Sequence, residues 1–289
     1  MRNYFLNFLN RYIFDGTGKE LALSTLSKLS DDDIQNILAT YPNPETIHFK
    51  ELTSIVMHLS DRTHTHEYTM KWVALIILAQ RLEQFYAEKG IRPQIALDTL
   101  RDLEYKYKEC MEVYNVPGVF AWEWYICIYT MQCFTLGRLD FEIAKFRLPI
   151  YEKEGYSIKE GERVLSVHIP NTGTPLSVAA CEDSFAKAKQ FFADLFGNEV
   201  PLVCWSWLLY PANKRILSPT SNIRSFMDLF DIIEEEDYQT WDQVAWRIFS
   251  VPDMVPPQTL PENTSLQRAY KQYLCGGGKF GWGYGITFR

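Results

Sequence analysis

Apolar residues recur every three or four positions through the first 134 residues, the spacing of amphipathic helices. Phe5, Phe8, Leu9, Tyr12 and Ile13 mark one face of a first helix. The same period predicts helices over 21–29, 31–40, 49–59, 67–89, 93–114 and 120–134. Asp15-Gly16-Thr17-Gly18, Tyr41-Pro42-Asn43-Pro44, Gly90-Ile91-Arg92-Pro93 and Pro117-Gly118 separate these segments with the Gly and Pro residues that helix interiors reject. The first part is expected to be a helical bundle or cap.

From about Leu136 the pattern changes to short β-rich runs alternating with helices, an α/β or α+β arrangement. Strands are predicted over 139–148 and 164–170, neighbours around a turn-rich segment holding Gly155 and Gly161. A helix over 176–196 carries Phe185, Ala188, Phe192 and Leu195 on one stripe, with Pro175 in its first turn and Gly197 at its end. The nearly continuous apolar run LVCWSWLLY, 202–210, reads as a strand covered on both faces. A helix over 223–233, a short strand over 243–249, a helix over 265–274 and a Gly-rich terminal strand complete the order. The chain thus divides into units 1–134 and 135–289.

Composition narrows the class. The 289 residues are 47% hydrophobic and 22% charged, values of an ordinary soluble globular protein, with a heavy aromatic share of 15%. The net charge of −7 is shared by both parts, 13 basic against 17 acidic residues up to Phe134 and 16 against 19 after it. Neither part is a basic module, so nucleic acid is a poor partner. Six dispersed cysteines, with no C-x-x-C pair, suit buried thiols in a reducing compartment. The start MRNYFLNFLNRYIF is amphipathic rather than signal-like, and neither 72–79 nor 120–136 is an uninterrupted apolar span of bilayer length. The expected location is cytoplasmic, with no membrane contact.

The segment VLSVHIPNTGTPLS, 164–177, takes a strand through a short loop with Gly173 into a long helix. Such a junction can present backbone N–H groups and a helix N-terminus to a phosphate, or be a plain connection. Strand alternation puts Ser166 and His168 on one face, and Asp140 and Glu142 on one side of the preceding strand. Antiparallel pairing would bring Glu142 within reach of His168, a base with its orienter; the alternative is an ordinary polar strand histidine. His58, Asp61, His64 and His66 could suit a metal, but Thr65 is a natural N-cap there and helix-start chemistry explains the segment without one. Cys204, between two tryptophans in an apolar strand, fits core packing better than a nucleophile. The glycines of GGGKFGWGYG form no nucleotide fingerprint and suggest backbone crowding or a flexible tail. Glu234, Glu235, Glu236 and Asp237 read as a solvated helix end.

Together LGRLDFE, VLSVHIP, CWSWLLYP followed by SNIRSF, and LPENTSLQRAY resemble the GNAT-like C-terminal domain of a bacterial acyltransferase family, in which that domain follows a helical N-terminal one. The resemblance covers nearly the whole chain. It implies an α+β architecture with a mixed-sheet GNAT-like second half, and an acyl-CoA-dependent N-acyltransferase moving an acyl group, acetyl by default, to a small-molecule amine by direct attack. It also implies that the pantetheine arm lies where a strand over 165–169 splays from one over 202–209, with Ile169 binding the cofactor at the strand's end and Asn171, Thr172, Gly173 and Thr174 cradling the pyrophosphate. Here one glycine and a proline replace the common Q/R-x-x-G-x-G/A loop. Glu142 and His168 are the expected base, Tyr210 or Ser221 the acid, and Trp205 and Trp207 the pocket wall. The ligand is anionic, so local amides and cations such as Lys187, Lys214 or Arg224 would hold it on an acidic protein. Two other classes remain open: a non-catalytic small-molecule-binding or regulatory module on a degenerate GNAT fold, and a hydrolase centred on Cys204 or Ser206. The oligomeric state is not encoded in these motifs.

Overall fold

The computed structural model describes the chain apart from residues 154, 198 and 239–241 and the side chains of Asp242 and Gln243. It forms two compact units, Met1–Phe134 and Thr135–Arg289.

The first unit contains α1 (Arg2–Arg11), α2 (Gly16–Ser27), α3 (Asp31–Ala39), α4 (Phe49–Thr63), α5 (Glu67–Glu88), α6 (Pro93–Leu100), α7 (Asp102–Tyr114) and α8 (Tyr125–Tyr129). Residues 72–79 of α5 are all buried, because α1, α2, α3, α4 and α6 pack around it and a helix apolar on every side needs such cover. Local chemistry sets the ends. Asp15 caps α2, Ser30 and Asp33 form a capping box on α3, and Pro93 opens α6.

Four expectations need correction here. Helix α1 stops at Arg11 and Tyr12 is extended, which turns Ile13 outward to 70% exposure. The 93–114 segment is two helices, divided at Arg101. The 120–134 segment is the five-residue α8 followed by a strand, since Phe134 and its neighbours pair in a sheet. The cap of α5 is His66, whose ring accepts from the Tyr68 N–H at 3.1 Å; the Thr65 carbonyl instead accepts from Ser60 Oγ.

The sheet elements are β1 (Cys133–Leu136), β2 (Leu139–Lys145), β3 (Ile150–Lys153), β4 (Tyr156–Lys159), β5 (Arg163–His168), β6 (Leu202–Ser206), β7 (Asp231–Asp237) and β8 (Gly281–Thr287). Among them run α9 (Val178–Phe191), α10 (Ala193–Phe196), α11 (Asn213–Ile216), α12 (Asn222–Met227), α13 (Asp242–Phe249) and α14 (Ser265–Cys275). Six strands form a mixed sheet in the order β1-β2-β5-β6-β8-β7, and β3 pairs with β4 in a separate hairpin. Helix α9 covers one sheet face, where Phe185 meets Phe141 and Phe230. On the opposite face Phe146, Ile158, Val164, Val203, Tyr284 and Ile286 form a core.

The sequence period misplaced several elements of this unit. Helix α9 starts after its cap Ser177, so Pro175 precedes it; Leu195 is largely exposed, and Gly197 does end α10 at φ 71°. The 202–210 run is β6 followed by a 3₁₀ turn, Trp207–Leu209. The 223–233 helix ends at Met227, and Ile232 and Ile233 belong to β7. The acidic run is therefore the outer strand of the sheet, where charge discourages edge-to-edge association. Residues 243–249 lie in helix α13 rather than a strand, with Val244, Ala245, Ile248 and Phe249 buried at helical spacing.

Candidate active site

The sheet is split at its centre. β5 and β6 run parallel and pair at only two positions, Leu165↔Leu202 and Ser166↔Val203. Beyond them, Val167 and His168 on one strand and Cys204 to Ser206 on the other continue without pairing. The Leu165 N–H donates to the Pro201 carbonyl at 3.0 Å, so it faces β6. Backbone groups alternate sides along a strand, and Ile169, four positions on, therefore turns its N–H toward the opening. On β6 the same alternation turns the Trp205 peptide inward.

Side chains follow the register. β2 and β5 pair antiparallel with Asp140↔His168 and Glu142↔Ser166, so Glu142, Ser166 and His168 share the face opposite α9. His168 Nε2 and Glu142 Oε2 are 2.8 Å apart, each side chain about one-third exposed. Because Ser166 pairs with Val203, His168 and Trp205 would be opposite each other if the ladder went on; they occupy the same face on facing walls of the split. Asp140 is buried and accepts from Thr135 Oγ1 at 2.6 Å, which anchors this end of β2.

The loop after β5 leads into α9. Thr172 N–H donates to the Pro170 carbonyl, Thr174 N–H to Thr172 Oγ1, and the two threonine hydroxyls are 2.6 Å apart. Gly173 sits at φ 74° with open space where a Cβ would be, a conformation that favours glycine. Ser177 Oγ accepts from the Ala180 N–H and caps α9. Within the expected cradle, two of the four amides are thus turned into the loop itself.

Other expected residues lie apart from the Glu142–His168 contact. Tyr210 donates to Asp237 Oδ1 at 2.6 Å, and burial with that bond pushes its phenol well above the usual range, which opposes an acid role. Ser221 caps α12 by accepting from the Ile223 N–H. Trp207 packs in a different core, its ring 6.0 Å from that of Tyr270, so the two tryptophans do not share a wall. Burial pushes the Cys204 thiol up strongly, and Ser206 Oγ accepts from Leu208 N–H; neither is an activated nucleophile. Lys187 and Lys214 are ion-paired with Asp183 and Asp228, and Arg224 donates to the Leu217 carbonyl. His64 ends α4 in a left-handed conformation, and among the described residues no group of three His, Cys, Asp or Glu side chains is placed to hold a metal.

Residues 133–287 match the model of the GNAT-like C-terminal domain, and residues 21–131 match that of the N-acyltransferase N-terminal domain. The chain belongs to this GNAT-like acyltransferase family. No curated protein sequence matches it. An acyltransferase mutant in complex with octanoyl-CoA has the same fold, with a TM-score of 0.68 at 21% identity over 96% of this chain and 89% of that one. An acyltransferase in complex with decanoyl-CoA and teicoplanin gives 0.66 at 20% identity over 96% and 88%. A third, in complex with CoA and 10C-Teicoplanin, gives 0.68 at 21% over 96% and 89%.

In this GNAT-like acyltransferase chain two site residues escaped sequence reasoning. Arg138, in the tight turn at Gly137 between β1 and β2, donates through Nη1 to the Pro170 carbonyl at 2.9 Å and through Nη2 to that of Thr174 at 3.3 Å. It pins both ends of the loop. The motif LGRL, a glycine turn between two apolar strands, is the signal that marks the position. Arg147 lies over the Trp205 ring, 4.6 Å from its centroid, and over that of Tyr284 at 4.4 Å, and pairs with Glu234. Its partners come from three distant strands, and no local pattern announces them.

Proposed function

We propose that the protein transfers an acyl group from acyl-CoA to the amine of a small molecule by direct attack. The observation that carries this reading is the two-residue parallel pairing of β5 and β6, which opens a slot with His168 on one wall, an inward backbone N–H at Ile169, and a helix N-terminus beyond it. The pantetheine arm would lie along the opening. Its pyrophosphate would meet the amides of Asn171 and Gly173 and the first turn of α9, where aligned peptide dipoles favour an anion. The octanoyl- and decanoyl-CoA held by proteins of the same fold support a medium-chain acyl group ahead of acetyl.

Each residue then has a task. With Nε2–H donating to Glu142, the basic lone pair of His168 is on Nδ1, and Glu142 fixes that tautomer. The amine attacks the thioester carbonyl, whose oxygen is polarised by the Ile169 N–H. His168 takes the proton released as the amide forms, and the CoA thiolate leaves and regains a proton from the imidazolium. Trp205 forms the opposite wall.

The loop-internal bonds of Thr172 and Thr174 favour a second reading, a binding module with weakened phosphate contacts. Native-state binding raises stability by about 2.7 kcal/mol at a hundredfold excess over Kd. Octanoyl-CoA is expected to raise the melting temperature accordingly, and no shift with any acyl-CoA would refute acyl transfer. His168→Ala should lower kcat about 10²- to 10⁴-fold, the contribution of a positioned base. Full turnover in that variant removes His168 from the mechanism, and stabilisation without turnover on any amine selects the binding module.

A further inference from the structure

Trp205 is the one residue of β6 left exposed, at 48%, while Leu202, Val203, Cys204 and Ser206 are buried. A large ring in this position is held by its neighbours. The Arg147 guanidinium lies over it and over Tyr284, its cross-strand partner, and the Arg147 charge is balanced by Glu234. Trp282, diagonal to it on β8, has its ring centroid 5.8 Å away, and Tyr238 stands 5.7 Å beyond Trp282. The three rings form a shelf across β6, β8 and the end of β7. Its exposed end faces the Glu142–His168 wall across the split.

We propose that this shelf is the acceptor subsite, and that the acceptor is an amine carried on an electron-rich aromatic ring, such as a phenol, stacked on Trp205. Arg147 is a positioning residue that holds the indole upright. The inference rests on the acyl-transfer reading above and adds to it the class of acceptor.

Three features favour an aromatic acceptor over a flexible aliphatic one. The indole is pinned by Arg147 and Trp282, so stacking on it orders little that is not already ordered. A guanidinium over the indole draws its π-density and makes it a better partner for an electron-rich ring. The carboxylate and imidazole opposite receive the amine end and the proton it gives up as the amide forms, so a ring and an amine joined by a short linker meet both walls at once.

The test uses octanoyl-CoA as donor with tyramine and hexylamine as paired acceptors. Saturation-transfer NMR should show the tyramine ring protons in contact with the protein, with the signal lost in Trp205→Ala and retained in Trp205→Phe. The ratio of kcat/KM for tyramine over hexylamine should fall about tenfold in Trp205→Ala, the value of one aromatic pair. It should recover largely in Trp205→Phe and fall partway in Arg147→Met, where the ring is released but present. An unchanged ratio and ring contact in Trp205→Ala would overturn the shelf even with acyl transfer intact. Failure of octanoyl-CoA to stabilise the protein would instead strike the acyl-transfer reading, and the ring contact in the NMR experiment would still decide the shelf.

Discussion

Replacing Gly283 with alanine is expected to lower the melting temperature by roughly 4–10 °C. A Cβ at this position would lie 2.3 Å from the Leu209 carbonyl oxygen, 2.6 Å from its carbonyl carbon and 2.9 Å from its Cβ. Ordinary contact begins near 3.4 Å, so about 1 Å of separation must be found, and two of the three clashing atoms are backbone, which no rotamer change moves. Strand β8 cannot slide away, because Gly283 is paired on one side with Ser206 and on the other with Glu235. Overpacking costs about 1–3 kcal/mol, and a backbone clash this deep belongs at the upper end, about 3 kcal/mol. The opposing gain from a stiffer unfolded chain, about 0.4–1 kcal/mol for Gly→Ala, is smaller, so destabilisation wins. At roughly 2–4 °C per kcal/mol for a unit of this size the shift follows. Scanning calorimetry of Gly283→Ala beside Gly16→Ala provides the comparison, since a Cβ at Gly16 meets nothing within 4 Å. A Gly283→Ala melting temperature equal to the parent's would refute the crowding argument. Because Leu209 ends the 3₁₀ turn that follows the strand carrying Trp205, the same variant is also expected to lose turnover.

Asp33→Asn should cost about 1–2 kcal/mol near neutral pH, because the Arg62 side chain and the Ser30 cap hold the Asp33 carboxyl down at about 2. A depressed carboxyl stabilises the fold above its unfolded value near 4 and loses that contribution as pH falls toward 2, so parent and variant denaturation curves should converge there; a pH-independent gap would contradict this. Iodoacetamide on the native protein should alkylate the exposed Cys275 and spare Cys204, whose thiol burial pushes up, leaving turnover intact; mass spectrometry showing native labelling of Cys204 would overturn the core assignment. Arg138→Met releases the Pro170 and Thr174 carbonyls and is expected to raise the KM for acyl-CoA about tenfold with little change in kcat, whereas an equal loss in both would mean that the arginine acts beyond the loop.

How far the sequence could be read depended on the range of the interactions involved. The Glu142–His168 contact was legible because two short runs with period-two alternation and a turn-rich connection leave antiparallel pairing as the simple solution, and pairing fixes which side chains meet. The Gly-rich end was legible as backbone crowding for a similar reason, since Gly281, Gly283 and Gly285 alternate with Trp282 and Tyr284 and are the face on which Tyr210, Leu209 and Phe230 press. Short apolar runs were the weak point. In 223–233, Ile223, Phe226, Met227 and Phe230 keep a helical period past the actual helix end, and nothing local shows that Asp231 begins a strand until β8 is present to pair with it. In 243–249 a short, largely apolar run suited either structure, and burial of Val244, Ile248 and Phe249 in one core with Leu274 and Tyr270 selects the helix.

The split itself was illegible from residue patterns, because both strands look continuous and only their register reveals where pairing stops. Its physical origin is visible in the fold. Above the last pair, Ser166↔Val203, β6 turns at Ser206 into the Trp207–Leu209 3₁₀ segment, and Leu209 seats against the glycines of β8. β5 is held to the other side by its six-residue ladder with β2, from Asp140↔His168 to Lys145↔Arg163. Each strand is therefore committed to its outer neighbour more extensively than to its inner one, and the weakest seam of the sheet falls between them. That is where His168, Trp205 and the Ile169 amide converge, so the glycines that let β8 grip β6 and the alternation that ties Glu142 to His168 act on one feature from opposite sides. A substitution that loosened either grip would let the seam close, and acyl-CoA affinity should fall before overall stability does.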